Sequence, residues 1–234
     1  MFTPKLPTKF DSRFSVEKAH AMQLRLSKHV IRKDMLPKTI RYVAGVDTAY
    51  RADVSIGAAV ILDYKTFSVV ELRKARVKTR FPYIPTLLSF REIPPTLAAI
   101  KKLKTQPDVF LVDGQGIAHP YRLGFASHLG LILNKPTIGV AKSLLCGKVG
   151  NFNQERWAPI IDKNEVIGAT VAKEGGKSIY VSIGHKVSLE RAIDIVMHST
   201  LRHRIPEPIR VAHTIATEEK KKGKPNPTQH SVPK

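Results

Sequence analysis

Asp47 in VAGVDTAY, Glu92 in SFREIPP and Asp113 in VFLVDGQG are acids set in apolar or otherwise acid-poor surroundings. Asp47 and Asp113 each interrupt or close a strand-like hydrophobic run, where an ionised carboxylate is costly unless a cation or hydrogen bonds compensate it. The chain around them is strongly basic: Lys and Arg outnumber Asp and Glu by 39 to 19, for a net charge of +20. Carboxylates gathered inside a basic protein suggest a divalent-metal site facing a polyanion, the chemistry of a metal-dependent nuclease. Hydrolysing a phosphodiester needs a nucleophilic water and stabilisation of the departing 3′ oxygen, and Mg²⁺ held by two or three carboxylates serves both ends. His119, His128 and His213 are candidates for a neighbouring proton-transfer or water-positioning role. Each acid also has a structural reading: Asp47 as a buried, hydrogen-bonded carboxylate, Asp113 as a cap on the turn at Gly114, Glu92 as a helix-start residue.

Composition narrows the classes further. At 234 residues and 42% hydrophobic content the chain suits one large globular domain. Its apolar stretches, such as GAAVIL, are far too short to span a bilayer, and MFTPKLPTKF lacks the apolar segment of a secretory signal. Cys146 is the single cysteine, which excludes an intrachain disulfide and a thiolate zinc cluster. A cytoplasmic nucleic-acid protein that does not touch membranes is the expectation. EGGKS fails as a phosphate-binding loop because Val171 stands where the leading glycine belongs, and no nucleophile elbow is present.

The elements that must position the acids follow from periodicity. Residues 1–14 read as a loose N-terminal arm. Ser15 caps a helix whose apolar stripe is Ala19, Met22, Leu26 and Val30, ended by Pro37. Strand-like runs at Tyr42–Tyr50, Val54–Leu62 and Phe67–Val77 have short polar connections and predict an antiparallel meander. A proline-rich loop leads to a helix with Pro94-Pro95 in its first turn, ending at Leu103. The buried strand VFLV, a helix from Leu123 to Leu133 and the strand TIGV imply parallel pairing. VIGATVA and SIYVSIG read as two more strands turning at Gly175-Gly176, before a helix from Ser188 to about Leu201. Three antiparallel strands followed by parallel αβ units, flanked by helices, make an α/β fold with an RNase H-like mixed sheet. Residues 15–216 form the single domain, and residues 217–234, charged and almost without apolar side chains, a basic disordered tail.

VAGVDTAY, FPYIPTLLSFRE, PDVFLVDGQGIAHPYRLGFASHLG and PTIGVAKSLLCGK closely resemble the motifs of the endonuclease V family, in family order, and RIPEPIRVAH resembles its C-terminal segment. The resemblance runs from about Gln23 to His213. It implies that Asp47, Glu92 and Asp113 are metal-binding and catalytic acids, that His213 is a fourth polar group near the metal, and that Lys142 lies near the scissile phosphate. It implies that Tyr83, stiffened by the prolines of PYIP, is a wedge beside the damaged base, and that Leu88, Gly124 and Gly139 belong to the base pocket. Gln115 stands where many relatives have histidine. The implied cofactor is Mg²⁺, with Mn²⁺ as the alternative. The implied substrate is DNA containing deoxyinosine, nicked by a monomer at the second phosphodiester 3′ to the lesion, leaving 3′-hydroxyl and 5′-phosphate ends. Inosine-containing RNA is the alternative substrate. Another nuclease of RNase H-like fold, or a non-catalytic nucleic-acid-binding module, is the alternative function.

Overall fold

Strands β1 (Tyr42–Arg51), β2 (Val54–Asp63) and β3 (Val69–Lys78) run antiparallel in succession, as their short polar connections predict. The computed structural model describes residues 15–222 except 153, 155, 156 and 173–176. The N-terminal arm and the turn at Gly175-Gly176 therefore lie outside the described residues. Asp63 Oδ1 accepts from the backbone N–H groups of Lys65 and Thr66 at 3.0 and 2.8 Å, closing the β2–β3 connection. Phe67, expected to begin the third strand, has φ +57° and belongs to that turn. The strand starts two residues later.

Helix α1 (Val16–Ser27) precedes this meander, capped by Ser15, whose hydroxyl accepts from the Lys18 N–H at 3.1 Å. After the meander come α2 (Leu88–Ile100), β4 (Val109–Asp113), α3 (Phe125–Leu133) and β5 (Thr137–Ala141). β4 pairs parallel with both β1 and β5. The chain continues through β6 (Lys148–Val149), β7 (Trp157–Asp162), β8 (Glu165–Val171) and β9 (Ile179–His185), all antiparallel, to α4 (Leu189–Ser199) and α5 (Glu207–Lys221). The result is one nine-stranded mixed sheet in the order β3-β2-β1-β4-β5-β9-β8-β7-β6 with helices on both faces, the expected RNase H-like arrangement.

Two elements depart from expectation in ways that matter for function. α2 begins at Leu88, so Pro94 and Pro95 sit inside the helix rather than in its first turn. The helix continues through them although each removes one backbone donor. α5 was hidden because its last residues belong to the charged run expected to be tail. It carries Ile209, Ala212 and Ala216 inward at helical spacing and extends to Lys221. Glu219 near its end pairs with Lys74 and Arg76 of β3, so the domain runs past residue 216.

Alternation along the strands sorts the core into two layers. Val43, Val60, Leu62 and Leu111 face α4 and α5, with Ile193, Val196, Ile209 and Ala212 in the same cluster. Ala44, Val46, Ala59, Ile61 and Val112 face α2 and α3, with Ile93, Ala99, Phe125 and Leu129. A glycine lets each flanking helix come close. A Cβ on Gly45 would lie 2.0 Å from the Pro208 carbonyl oxygen of α5, and one on Gly57 would lie 2.1 Å from that of Pro95 in α2. These two close approaches place the helices that bear His213 and Glu92.

Candidate active site

The parallel register of β1 and β4 runs from Val43 opposite Val109 to Val46 opposite Val112, so the next residues on each strand, Asp47 and Asp113, are neighbours. They share the parity of Val43 and Leu111 and project toward the face covered by α5. There His213 completes the group: one ligand atom from each of Asp47, Asp113 and His213 lies within 4.8 Å of the others. The His213 Nδ1 is 2.8 Å from Asp47 Oδ2, a hydrogen bond in which the ring N–H donates to the carboxylate. Lys142 follows β5 directly, and its Nζ donates to Asp113 Oδ2 at 2.6 Å. Arg204, from the connection between α4 and α5, donates to the carbonyl of Lys142 at 2.6 Å and to that of Ser178 at 2.8 Å.

Glu92 comes from the opposite face. It sits in the second turn of α2, half-buried, outside the group of three but close enough to feel both aspartates. Burial pushes its carboxyl up to about 8, and the charges of Asp47 and Asp113 add to that. Asp47 is 9% exposed, and its pKa is raised by burial first and by Asp113 second, with His213 partly opposing. The hydroxyl of Tyr50 lies beside Glu92, and the Arg91 guanidinium stacks on its ring at 4.2 Å. Three carboxyls gathered this closely form an oxygen-rich donor set, which suits a hard divalent cation.

A cleft of about 340 Å³ adjoins this cluster and shares Asp113 and Lys142 with it. Its other walls include Tyr83, Leu88, Gln115, Gly124 and Phe125. Its volume is at the low end of small-molecule pockets, roughly 300–1,000 Å³. Tyr83 is 68% exposed on a loop flanked by Pro82 and Pro85. At Gly124 a Cβ would lie 2.3 Å from the Gln115 carbonyl oxygen, so backbone forms that wall. Gln115 donates its amide to the Ser143 carbonyl at 2.9 Å. Gly139 does not line the cleft. A Cβ there would lie 2.4 Å from the Gly116 nitrogen, so Gly139 supports the 114–116 loop from behind.

Of the three histidines, only His213 reaches the acids. His119 lines the cleft, and burial lowers its pKa to about 4. His128 joins α3 to α2 through Ser89 Oγ at 3.1 Å and is lowered to about 4 by the same cause. Sequence reasoning also missed two groups beside the cleft. Thr86 lines it with φ +71°, and Gln23, 0% exposed, occupies the buried slot of α1 assigned to Met22, which is 41% exposed. The available signal was spacing: Gln23 is one helical turn from the buried Ala19.

The endonuclease V family profile matches residues 24–214. The endonuclease V proteins of Thermofilum pendens and Trichormus variabilis are each 49% identical to this chain, over 206 and 208 residues. Those alignments cover 87% of this chain, and 88% and 94% of the respective relatives. The crystal structure of the Streptomyces avermitilis endonuclease V shares 38% identity with a TM-score of 0.83, over 89% of this chain and 94% of that one. The Ciona intestinalis endonuclease V, crystallised with a 24mer DNA containing an inosine followed by a ribo-adenosine, gives a TM-score of 0.78 at 34% identity, over 89% and 99%. The profile spans the strands, cleft and helix that assemble the acids, and this chain belongs to the endonuclease V family.

Proposed function

We propose that this chain is a Mg²⁺-dependent repair endonuclease that seats the hypoxanthine of deoxyinosine in the cleft and nicks the same strand at the second phosphodiester on its 3′ side. The observation that carries this reading is the meeting of two sites at Asp113 and Lys142: an acid cluster that can hold a cation and a cleft sized for a base. Asp47 and Asp113 would hold the cation, with Glu92 and His213 beside them. When bound, Mg²⁺ supplies Lewis-acid polarisation of the phosphate and a more acidic water; Mn²⁺ offers the same chemistry. His213 orients the Asp47 carboxylate through its 2.8 Å hydrogen bond. Lys142, now paired with Asp113, brings a cation to neutralise the charge that develops on the phosphate. Arg204 fixes the backbone of Lys142.

Recognition belongs to the cleft. Hypoxanthine has a carbonyl and a ring N–H where adenine has an amino group and a bare ring nitrogen, and it lacks the 2-amino group of guanine. A rotated-out base can be read on these edges by backbone groups near Gly124, with Leu88 along its side and Tyr83 in the vacated stack. Gly139 supports that wall from behind. The basic surface supplies sequence-independent attraction to phosphates. Among the described residues no helix is long and apolar enough to cross a membrane, and we read the enzyme as a cytoplasmic monomer.

A second reading, inosine-containing RNA, is favoured by one observation: the Ciona relative was crystallised on inosine followed by a ribonucleotide. The test is a set of matched oligonucleotides carrying deoxyinosine, inosine or adenosine, incubated with and without Mg²⁺, with the cut mapped on the labelled strand. The proposal expects one Mg²⁺-dependent nick 3′ to deoxyinosine. Faster cutting of the ribo-substrate would transfer the assignment to RNA. Intact inosine strands of both kinds, with tight binding, would leave a non-catalytic binder.

A further inference from the structure

The walls of the cleft come from two loops distant in sequence, one carrying Tyr83 to Thr86 and the other running from His119 to Gly124. Each holds a non-glycine residue in the left-handed region, Thr86 at φ +71° and Arg122 at φ +53°. For a β-branched threonine this is unfavourable and needs outside support. α1 provides it with two side chains one turn apart. The Gln23 amide nitrogen donates to the Thr86 carbonyl at 2.9 Å and to the Leu123 carbonyl at 3.0 Å. His20 Nε2 is 2.8 Å from Thr86 Oγ1, while its ring stacks on Tyr121 at 3.9 Å. Each side chain therefore touches both walls.

We propose that Gln23 is a positioning residue for lesion recognition, pinning the Tyr83 loop to the Gly124 wall at a fixed separation. This rests on the reading of the cleft as the seat of the damaged base. Two carbonyl acceptors facing one buried position require a group with two N–H donors, which a glutamine amide supplies. An apolar side chain would leave both carbonyls unpaired in a dry site. The Gln23 Oε1 has no partner of its own, so the amide is held for its donors. Gln23 touches neither the acids nor Lys142, so its effect should fall on recognition and leave turnover intact.

The experiment compares wild type with Gln23→Leu, and Gln23→Leu with Gln23→Leu/Thr86→Gly, on inosine-containing and undamaged duplexes. Hydrogen exchange over residues 81–88 and 119–124 is followed in the same proteins without DNA. Gln23→Leu should raise KM for the inosine duplex about tenfold, the scale of one or two lost hydrogen bonds, with kcat held within about twofold. Exchange should rise in the two loops and stay unchanged in β1 and β4. Adding Thr86→Gly should leave most of the KM loss in place, because glycine relieves the left-handed strain but pairs neither carbonyl. A parallel loss of kcat on both substrates, exchange rising through the sheet, or full recovery with Thr86→Gly would overturn the proposal. Wild-type cleavage of the inosine duplex separately tests the functional reading, and the exchange measurements stand without it.

Discussion

Asp47 lies in the middle of a buried strand with His213 in hydrogen-bond reach and Asp113 pressing against it. Glu92 adds a third carboxyl, so the site without a cation is electrostatically unfavourable. The consequence for stability has a definite sign. An unfolded chain releases the Glu92 proton near 4.5, whereas the cation-free folded chain keeps it to about 8. Across that window Glu92 keeps its proton in the native state and not in the unfolded one, so its contribution to stability falls as pH rises, while His119 and His128, which burial holds near 4, oppose it below about 6.5. Melting curves of cation-free protein should show Tm declining from about pH 6.5 to about pH 8, where both histidines are neutral in either state and Glu92 still differs. Glu92→Gln should flatten the decline, and Mg²⁺ added near pH 8 should restore Tm in the wild type by binding the native state. An identical pH profile in Glu92→Gln would show that this carboxyl does not carry the effect. Asp47 and Asp113 were legible in the sequence because each breaks an apolar run. His213 was one of three candidate histidines, but its place beside Asp47 was legible only through resemblance to a known motif, since nothing local to RVAH points to an aspartate 166 residues away.

Position at the site is set by how closely helices approach the sheet. α5 carries His213 and rests on β1 where Gly45 has no side chain. Gly45→Ala would force a Cβ to within 2.0 Å of the Pro208 carbonyl oxygen and push the helix outward. Overpacking of this kind costs about 1–3 kcal/mol, and the displacement moves His213 off Asp47. Calorimetry should record the destabilisation, and single-turnover nicking should fall further than binding of the inosine strand does. Unchanged nicking in the destabilised variant would mean that the helix position is not critical. The meander and the two parallel strands could be read from alternation and turn residues. α5 was masked by its charged end, and β7 by Pro159 in its middle, which reads against a strand although an edge-side proline is compatible with one. The α1 stripe failed for a different reason: a polar side chain fills the buried slot, and apolar periodicity cannot register it.

The whole molecule divides affinity from selectivity. A net charge of +20 attracts any polyphosphate, and if binding neutralises about 6–10 phosphates, affinity should drop roughly 10³–10⁵-fold between 50 and 200 mM salt. Inosine-containing and undamaged duplexes should follow parallel lines of log affinity against log salt, offset by a constant that the cleft provides. Tyr83→Ala should shrink that offset and leave the slopes unchanged; a changed slope would make Tyr83 a phosphate contact instead of a wedge. The central claim is that Asp47 and Asp113 jointly make the chain a metal-dependent nuclease, and the most direct measurement is single-turnover nicking of an inosine duplex by wild type, Asp47→Ala and Asp113→Ala over a Mg²⁺ series. Wild type should nick only with the cation, and each variant should lose on the order of 10³-fold or more in rate while still binding the duplex. Full turnover by Asp113→Ala, or wild-type nicking that ignores Mg²⁺, would contradict the account.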